Sequence, residues 1–217
     1  MDVGDEASVH KAVAEVLARV PQLDALVCNA GFGIFGSVEE VSEEAAQRQF
    51  DTNVFGVLRT LRAVVPGMRA ARSGRIVLVG SLAAHAPIPF QVHYSATKAA
   101  VAAIALGLRS ELHRIGVKVS LVEPGDVNTP FNDAMEWEEG AKSAYGDSLR
   151  GCEEAIREML PEAPGPENVA RVIEKALCAR RPRVRYSAGA DAKLAPIARR
   201  LIPDWITLAV LRSRYRV

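Results

Sequence analysis

The stretch HYSATK, at residues 93–98, begins a run of small and apolar residues that predicts a helix reaching residue 115. Tyr94 and Lys98 are four residues apart, so on a helix they lie on one face, one turn from each other. A lysine ammonium beside a tyrosine favours the ionised phenolate and lowers the tyrosine pKa. The pair therefore predicts a side chain that can donate and accept a proton near neutral pH. Because a Tyr-x-x-x-Lys pair also arises by chance, its interpretation depends on the residues around it.

A serine upstream supports a functional interpretation of this pair. Residues 74–79, GRIVLV, form a short apolar run that predicts a buried strand, and Gly80 and Ser81 follow it directly. In open parallel α/β sheets, ligands bind at the carboxyl ends of the strands. Ser81 lies at such an end, and Tyr94 follows after one loop at the start of the next helix. The sequence therefore predicts that Ser81 and Tyr94 meet at a common site.

At these spacings, Ser81, Tyr94 and Lys98 resemble the short-chain dehydrogenase/reductase superfamily, in particular the branch containing 17β-hydroxysteroid and retinol dehydrogenases. Three further motifs follow in the family's order. They are Cys28-Asn29-Ala30-Gly31, Asn53-Val54-Phe55-Gly56 and Pro124-Gly125-Asp126-Val127-Asn128-Thr129. Together these motifs span nearly the whole chain.

The resemblance implies an NAD(P)-dependent oxidoreductase that interconverts an alcohol with a ketone or aldehyde on a lipophilic substrate. It implies that Tyr94 transfers the proton, and that Lys98 lowers the Tyr94 pKa and holds the nicotinamide ribose. It implies that Ser81 donates a hydrogen bond to the reacting oxygen and that Asn53 completes a proton relay. No metal is implied, and we interpret His85 and His93 as loop or pocket-lining residues.

The resemblance also implies a set of cofactor contacts, with NADP favoured over NAD. Asp2 and Val3 correspond to a pair that touches the adenine ring, the Pro124-Gly125 backbone meets the nicotinamide, and Thr129 bonds its carboxamide. The full implied set is Asp2, Val3, Asn29, Ala30, Gly31, Tyr94, Lys98, Pro124, Gly125, Val127 and Thr129.

The sequence departs from the family at its start. Neither G-x-G-x-x-G nor G-x-x-x-G-x-G follows a strand here, although such a turn normally binds the cofactor pyrophosphate. We therefore expect an N-terminally truncated member. Two functional classes stay open: an enzyme, and a non-catalytic remnant acting as a dimerisation scaffold. The intact Ser81, Tyr94, Lys98 and Asn53 favour the enzyme, and the absent glycine turn favours the remnant.

The alternation of strand and helix patterns predicts an α/β fold, an open parallel Rossmann-type sheet with helices on both faces that lacks the family's first strands. We treat residues 1–217 as one partial domain. Helices are predicted at residues 7–20, 42–69 (interrupted near Pro66), 93–115 and 166–179, and strands at 23–28, 74–79, 117–123 and 183–187. Strand 23–28 is expected to be an exposed edge. The resemblance implies a homodimer or tetramer through helices 42–69 and 93–115.

Two segments are assigned more loosely. Residues 131–164 predict a substrate lid of helical and irregular character. The tail, residues 188–217, is basic and apolar, and three interpretations are open: it covers the pocket by packing against its own protein, it packs in an oligomer, or it makes weak contact with a membrane surface.

The composition limits the classes of function. The chain has 217 residues, of which 49% are hydrophobic and 24% charged, and its net charge of +1 gives no indication of a nucleic-acid partner. From residue 180 onward, however, it carries ten Lys or Arg and two Asp. Three cysteines, no apparent signal peptide and no long apolar run indicate a cytoplasmic protein with reduced thiols.

Overall fold

The fold is described from a computed structural model that covers residues 1–129, 131, 135–137, 143–189 and 202–217. Its centre is a sheet of four parallel strands in the order β1-β3-β4-β6. The bounds of these strands are Ala25–Cys28 (β1), Gly74–Val79 (β3), Val117–Pro124 (β4) and Arg185–Ala188 (β6). A second, two-stranded parallel sheet pairs β2 (Ile34–Phe35) with β5 (Glu136–Trp137).

Seven α-helices are described. Their bounds are Glu6–Leu17 (α1), Glu43–Phe50 (α2), Gly56–Ala71 (α3), Val92–Glu111 (α4), Gly146–Met159 (α5), Glu167–Cys178 (α6) and Asp204–Tyr215 (α7). The first two begin at capping side chains, because the carboxylate of Asp5 accepts from the Ala7 amide and the hydroxyl of Ser42 accepts from the Ala45 amide. Short 3₁₀ turns occupy Leu82–Ala84 and Leu160–Glu162.

Helices cover both faces of the sheet, as predicted. Alternate residues of a strand point to opposite faces, and the core divides accordingly. Ile76 and Leu78 of β3 pack with residues of α3 and α4, whereas Val77, between them, packs with Ala176 of α6. Strand β1 lies at the end of the sheet in the described part of the chain, and its Val27 is 38% exposed, which agrees with the predicted edge.

The break in the long helix predicted at residues 42–69 is not where the sequence placed it. Pro66 lies inside α3, and the interruption is instead a π-helical turn at Asp51–Phe55. Proline costs one backbone hydrogen bond but ends a helix only when the chain must turn. Single π turns often lie at functional sites, and this one carries the buried Asn53. The other predicted elements are present with ends shifted by a few residues.

The C-terminal helix packs on its own chain. Leu211 and Tyr215 of α7 are buried against Leu149 and Cys152 of α5, and Arg214 forms an ion pair with Asp126 at 2.7 Å. This packing agrees with the first of the three interpretations of the tail. Trp205 of α7 is nevertheless 70% exposed. Residues 190–201 of the tail lie outside the described part of the chain. Among the described helices, none has the length and apolar character needed to cross a bilayer.

Candidate active site

A cavity of about 760 Å³ lies at the carboxyl ends of β1, β3 and β4. Ser81, two residues beyond the end of β3, lines it together with Tyr94 and Lys98 from the first two turns of α4. The structure brings these three side chains together on one cavity. The position also agrees with the general location of ligands in open parallel sheets.

Tyr94 and Ser81 both line this cavity. Burial raises the pKa of Tyr94 to about 12, and the hydrogen bond from Ser81 lowers it in part. The Phe131 ring lies 5.7 Å from the Tyr94 ring, centroid to centroid, and contributes to this apolar surrounding. Tyr94 is therefore protonated at neutral pH and is placed as a proton donor.

Lys98 is buried beside the tyrosine. Its Nζ donates to the Val79 carbonyl at 3.1 Å and lies 5.6 Å from the centroid of the Tyr94 ring. Burial lowers the pKa of Lys98 to about 8. The sequence led us to expect that Lys98 lowers the Tyr94 pKa. In the structure the Tyr94 pKa is raised, because burial of the phenol outweighs the influences that favour the phenolate.

Asn53 is 1% exposed and lies behind the cavity wall. Its Oδ1 accepts from the Phe32 amide at 3.0 Å and its Nδ2 donates to the Phe32 carbonyl at 2.9 Å. Nδ2 also donates to Thr97 Oγ1 at 3.1 Å, and that hydroxyl donates to the Tyr94 carbonyl at 2.7 Å. A continuous set of hydrogen bonds thus joins the start of α4 to the loop after β1.

Most of the cofactor contacts implied by the sequence lie around the cavity. Those that line it are Asn29, Ala30, Gly31, Tyr94, Lys98, Pro124, Gly125, Val127 and Thr129. Asp2 and Val3 do not line it. The Asp2 carboxylate accepts from the Gly4 amide, and Val3 packs so closely on Gly56 that an added Cβ there would lie 2.8 Å from Val3 Cγ2.

The cavity wall has the mixed apolar and polar character expected of a cofactor site. A Cβ on Gly31 would lie 2.9 Å from Asn53 Oδ1. The backbone of residue 31 can therefore pack this closely against Asn53 because glycine has no Cβ. Across the cavity, Pro124 and Val127 add apolar surface and Thr129 adds a hydroxyl. Flat apolar walls with a few polar groups are typical of cofactor sites.

Several lining residues carry no sequence motif. They come from the segment at residues 131–164 and from the last helix, and are Phe131, Met135, Ile156, Met159, Leu160 and Tyr215. The apolar periodicity of α5 predicts that one face is buried, but not that it faces a cavity. Neither His85 nor His93 lines the cavity, and the described residues hold no group of three His, Cys, Asp or Glu arranged to bind a metal.

Comparison with known families agrees with this geometry. The family model for short chain dehydrogenase matches residues 1–140, which is more than half of the chain. The chain belongs to the short-chain dehydrogenase family. It is thus an oxidoreductase of the class that acts on CH–OH groups with NAD(P).

Curated relatives in this family are similar over most of the chain. A 3-ketodihydrosphingosine reductase from Bacteroides thetaiotaomicron is 34% identical over 220 residues, which span 100% of this chain and 82% of the relative. The estradiol 17-beta-dehydrogenase 1 of Rattus norvegicus is 34% identical over 213 residues, which span 94% of this chain and 60% of the relative. The second match agrees with the 17β-hydroxysteroid branch inferred from the motifs.

Solved structures show the same fold. A short-chain dehydrogenase from Streptomyces avermitilis has a TM-score of 0.78 and 30% identity, covering 96% of this chain and 78% of that one. The closed form of a serine dehydrogenase complexed with NADP⁺ has a TM-score of 0.73 and 27% identity, covering 86% of this chain and 73% of that one.

Proposed function

We propose that this protein interconverts a lipophilic alcohol and its ketone or aldehyde, with Tyr94 as the group that transfers the proton. The observation that carries the proposal is that Ser81, Tyr94 and the buried Lys98 line one cavity. When bound, NAD(P)H would supply the hydride for reduction and NAD(P)⁺ would accept it in oxidation. The residues that would hold the cofactor are Asn29, Ala30, Gly31, Pro124, Gly125, Val127 and Thr129.

Each of the three side chains has a distinct part in the proton chemistry. In reduction, the Tyr94 hydroxyl donates its proton to the carbonyl oxygen, and in oxidation the Tyr94 phenolate removes the proton from the alcohol. The Ser81 hydroxyl hydrogen-bonds the same oxygen and stabilises the charge that develops on it. The Lys98 ammonium stabilises the phenolate that Tyr94 becomes after it has donated.

Asn53 and Thr97 support this centre from behind. Their hydrogen bonds tie the carbonyl of Tyr94 to the loop that holds Gly31, so that the proton donor and the cofactor wall keep a fixed distance. We propose that Asn53 also takes part in returning a proton to Tyr94 from solvent.

A lipophilic substrate is supported by the apolar side chains that line the cavity. Ile88, Phe131, Ile156, Met159 and Leu160 form an apolar wall there, which suits an aliphatic or alicyclic carbon skeleton. The two curated relatives are named for a long-chain keto amino alcohol and a steroid. We propose that residues 131–164, described in part, cover this substrate as a lid.

The experiment that tests the function has two steps. Thermal unfolding is followed with NADH and NADPH titrated separately, and saturating cofactor is expected to raise the free energy of unfolding by about 2.7 kcal/mol at a hundredfold Kd. Turnover is then measured with long-chain and short-chain ketones. Stabilisation by NADPH with turnover of the long-chain ketone is expected. No stabilisation by either cofactor would contradict the proposal and favour the scaffold alternative.

A homodimer is proposed through α3 and α4. Phe55 precedes α3 and is 50% exposed, and Leu106 of α4 is 39% exposed, so both leave apolar surface available for a second copy. Sedimentation velocity at micromolar concentration tests the homodimer. The Leu106→Lys variant is expected to shift toward monomer. A parent protein that is itself monomeric would contradict the proposed dimer.

A further inference from the structure

A buried ionic cluster lies beside the site and joins three elements. Glu123 is next to last in β4, His85 follows the 3₁₀ turn after Ser81, and Arg185 begins β6. These three residues are named the Glu123 cluster here. Glu123 is 1% exposed, and the side chain of His85 is 7% exposed. None of the three lines the cavity.

The contacts within the Glu123 cluster converge on one oxygen. His85 Nε2 lies 2.6 Å and Arg185 Nη1 lies 2.5 Å from Glu123 Oε1. An ionised carboxylate only accepts hydrogen bonds, so His85 Nε2 must carry its proton. Arg185 Nη1 and His85 Nε2 lie 3.2 Å apart because both donate to the same oxygen, Glu123 Oε1.

Glu123 remains charged in this setting. Burial alone would raise its pKa, but the hydrogen bonds and charges of His85 and Arg185 outweigh burial and hold the pKa below its usual value. Glu123 Oε2 is buried and has no hydrogen-bond partner in the described part of the chain. A buried carboxylate with one unsatisfied oxygen costs more stability than an apolar side chain of the same volume. Such exceptions tend to lie at functional sites.

The position of the Glu123 cluster connects it to the reacting groups. The Ser81 hydroxyl caps the turn Leu82–Ala84 by accepting from the Ala83 amide at 3.1 Å, and the His85 amide closes that turn on the Leu82 carbonyl at 2.8 Å. On the other side, Glu123 directly precedes Pro124 and Gly125, which line the cavity. The His85–Glu123 bond therefore fastens the far end of the Ser81 turn to the strand that carries the cavity wall.

We infer that His85, held by Glu123 and Arg185, is a positioning residue that keeps Ser81 in hydrogen-bonding contact with Tyr94. This inference rests on the proposed function for its effect on turnover, but its structural part does not. If His85 is lost, the turn after Ser81 loses the attachment of its far end to β4, while the Gly80 amide still donates to the Val122 carbonyl at 2.8 Å before Ser81. Ser81 then moves relative to Tyr94, and both the support of the reacting oxygen and the lowering of the Tyr94 pKa weaken.

The test compares His85→Ala with His85→Gln, because the glutamine amide retains an N–H donor for Glu123. The exposed His10→Ala serves as a matched control. We expect His85→Ala to lower kcat about tenfold with KM changed less than twofold, and His85→Gln to recover most of the loss. In the oxidation direction, the rate rises with pH as Tyr94 deprotonates, and this rise should move to higher pH in His85→Ala, because Ser81 then no longer lowers the Tyr94 pKa. The control should match the parent protein.

Amide hydrogen exchange provides a readout that does not depend on turnover. In His85→Ala, the amides of residues 83–86 should exchange at least tenfold faster than in the parent protein, with those of β3 unchanged. Unchanged exchange at residues 83–86 would overturn the inference, as would faster exchange with an unaltered kcat and pH profile. Absence of turnover in the parent protein would count against the proposed function alone, and the exchange result would still decide whether His85 holds the turn.

Discussion

Asn53 holds the backbone of Phe32 through both atoms of its side-chain amide. Oδ1 accepts from the Phe32 amide at 3.0 Å and Nδ2 donates to the Phe32 carbonyl at 2.9 Å, in the manner of one strand pairing with another. The π turn at Asp51–Phe55 carries this side chain, and the pairing fixes the loop that forms one wall of the cavity. The wall and the catalytic helix are therefore one hydrogen-bonded unit.

Asn53→Asp should break this unit with little change in volume. The aspartate can still accept from the Phe32 amide, but it repels the Phe32 carbonyl and cannot donate to Thr97. Replacing a buried hydrogen bond with an unsatisfied acceptor lowers the free energy of unfolding by about 1–3 kcal/mol. We expect urea denaturation to show a loss in that range, together with a fall in kcat of about tenfold or more. Asn168→Asp, at a partly exposed position beside Arg171, is the control. Equal stability of the two variants would contradict the account.

Gly31→Ala tests the close approach behind the cavity wall. An added Cβ would lie 2.9 Å from Asn53 Oδ1, so the loop or the asparagine must shift, and overpacking of this kind costs about 1–3 kcal/mol. Gly107→Ala in α4 is the matched control, because nothing lies within 4 Å of its added Cβ and alanine favours a helix by up to about 1 kcal/mol. The melting temperature should therefore fall in Gly31→Ala and rise in Gly107→Ala. A stabilised Gly31→Ala variant would disprove the packing described here.

The pKa of Lys98 predicts how the rate depends on pH. Burial lowers it from 10.5 to about 8, whereas Tyr94 stays protonated to about 12. If the charged lysine supports proton donation, the reduction rate should fall as pH rises through about 8. In Lys98→Arg the charge persists to much higher pH, so that inflection should disappear, although the reduction rate below pH 7 is lower. An unchanged inflection in Lys98→Arg would show that another group titrates.

Met159→Glu tests whether the substrate binds against the apolar side chains that line the cavity. A carboxylate in this apolar wall should raise KM for a long-chain ketone about tenfold or more, because an apolar chain must then be buried against a charge. Cofactor affinity, measured by fluorescence titration, should stay within twofold, because Met159 is not one of the implied cofactor contacts. Equal increases in KM and in cofactor Kd would place the substrate elsewhere.

Local chemistry made the reacting centre predictable from the sequence. Tyr94 and Lys98 are related by helical spacing, and Ser81 follows an apolar strand, so each could be placed before the structure was known. Asn53 was also identified, but the reason for its burial, the π turn, depends on packing against the Phe32 loop. The break expected at Pro66 was wrong because α3 continues through the proline.

Long-range contacts account for what the sequence did not reveal. Tyr215 lines the cavity although it lies 121 positions after Tyr94, and only the packing of α7 on α5 brings it there. The His85–Glu123 bond joins residues 38 positions apart that belong to no shared motif. Likewise, the direction of the Tyr94 pKa depends on how deeply α4 is buried, which spacing alone does not give.

The measurement that tests the central claim most directly is turnover by Tyr94→Phe, with cofactor binding measured on the same sample. The phenylalanine keeps the ring and its packing on Phe131 but removes the proton. We expect kcat to fall by about 10²–10⁴ while the stabilisation by NADPH is retained, and the partly exposed Tyr145→Phe should behave as the parent protein. Turnover by Tyr94→Phe within a few fold of the parent protein would show that Tyr94 is not the proton donor.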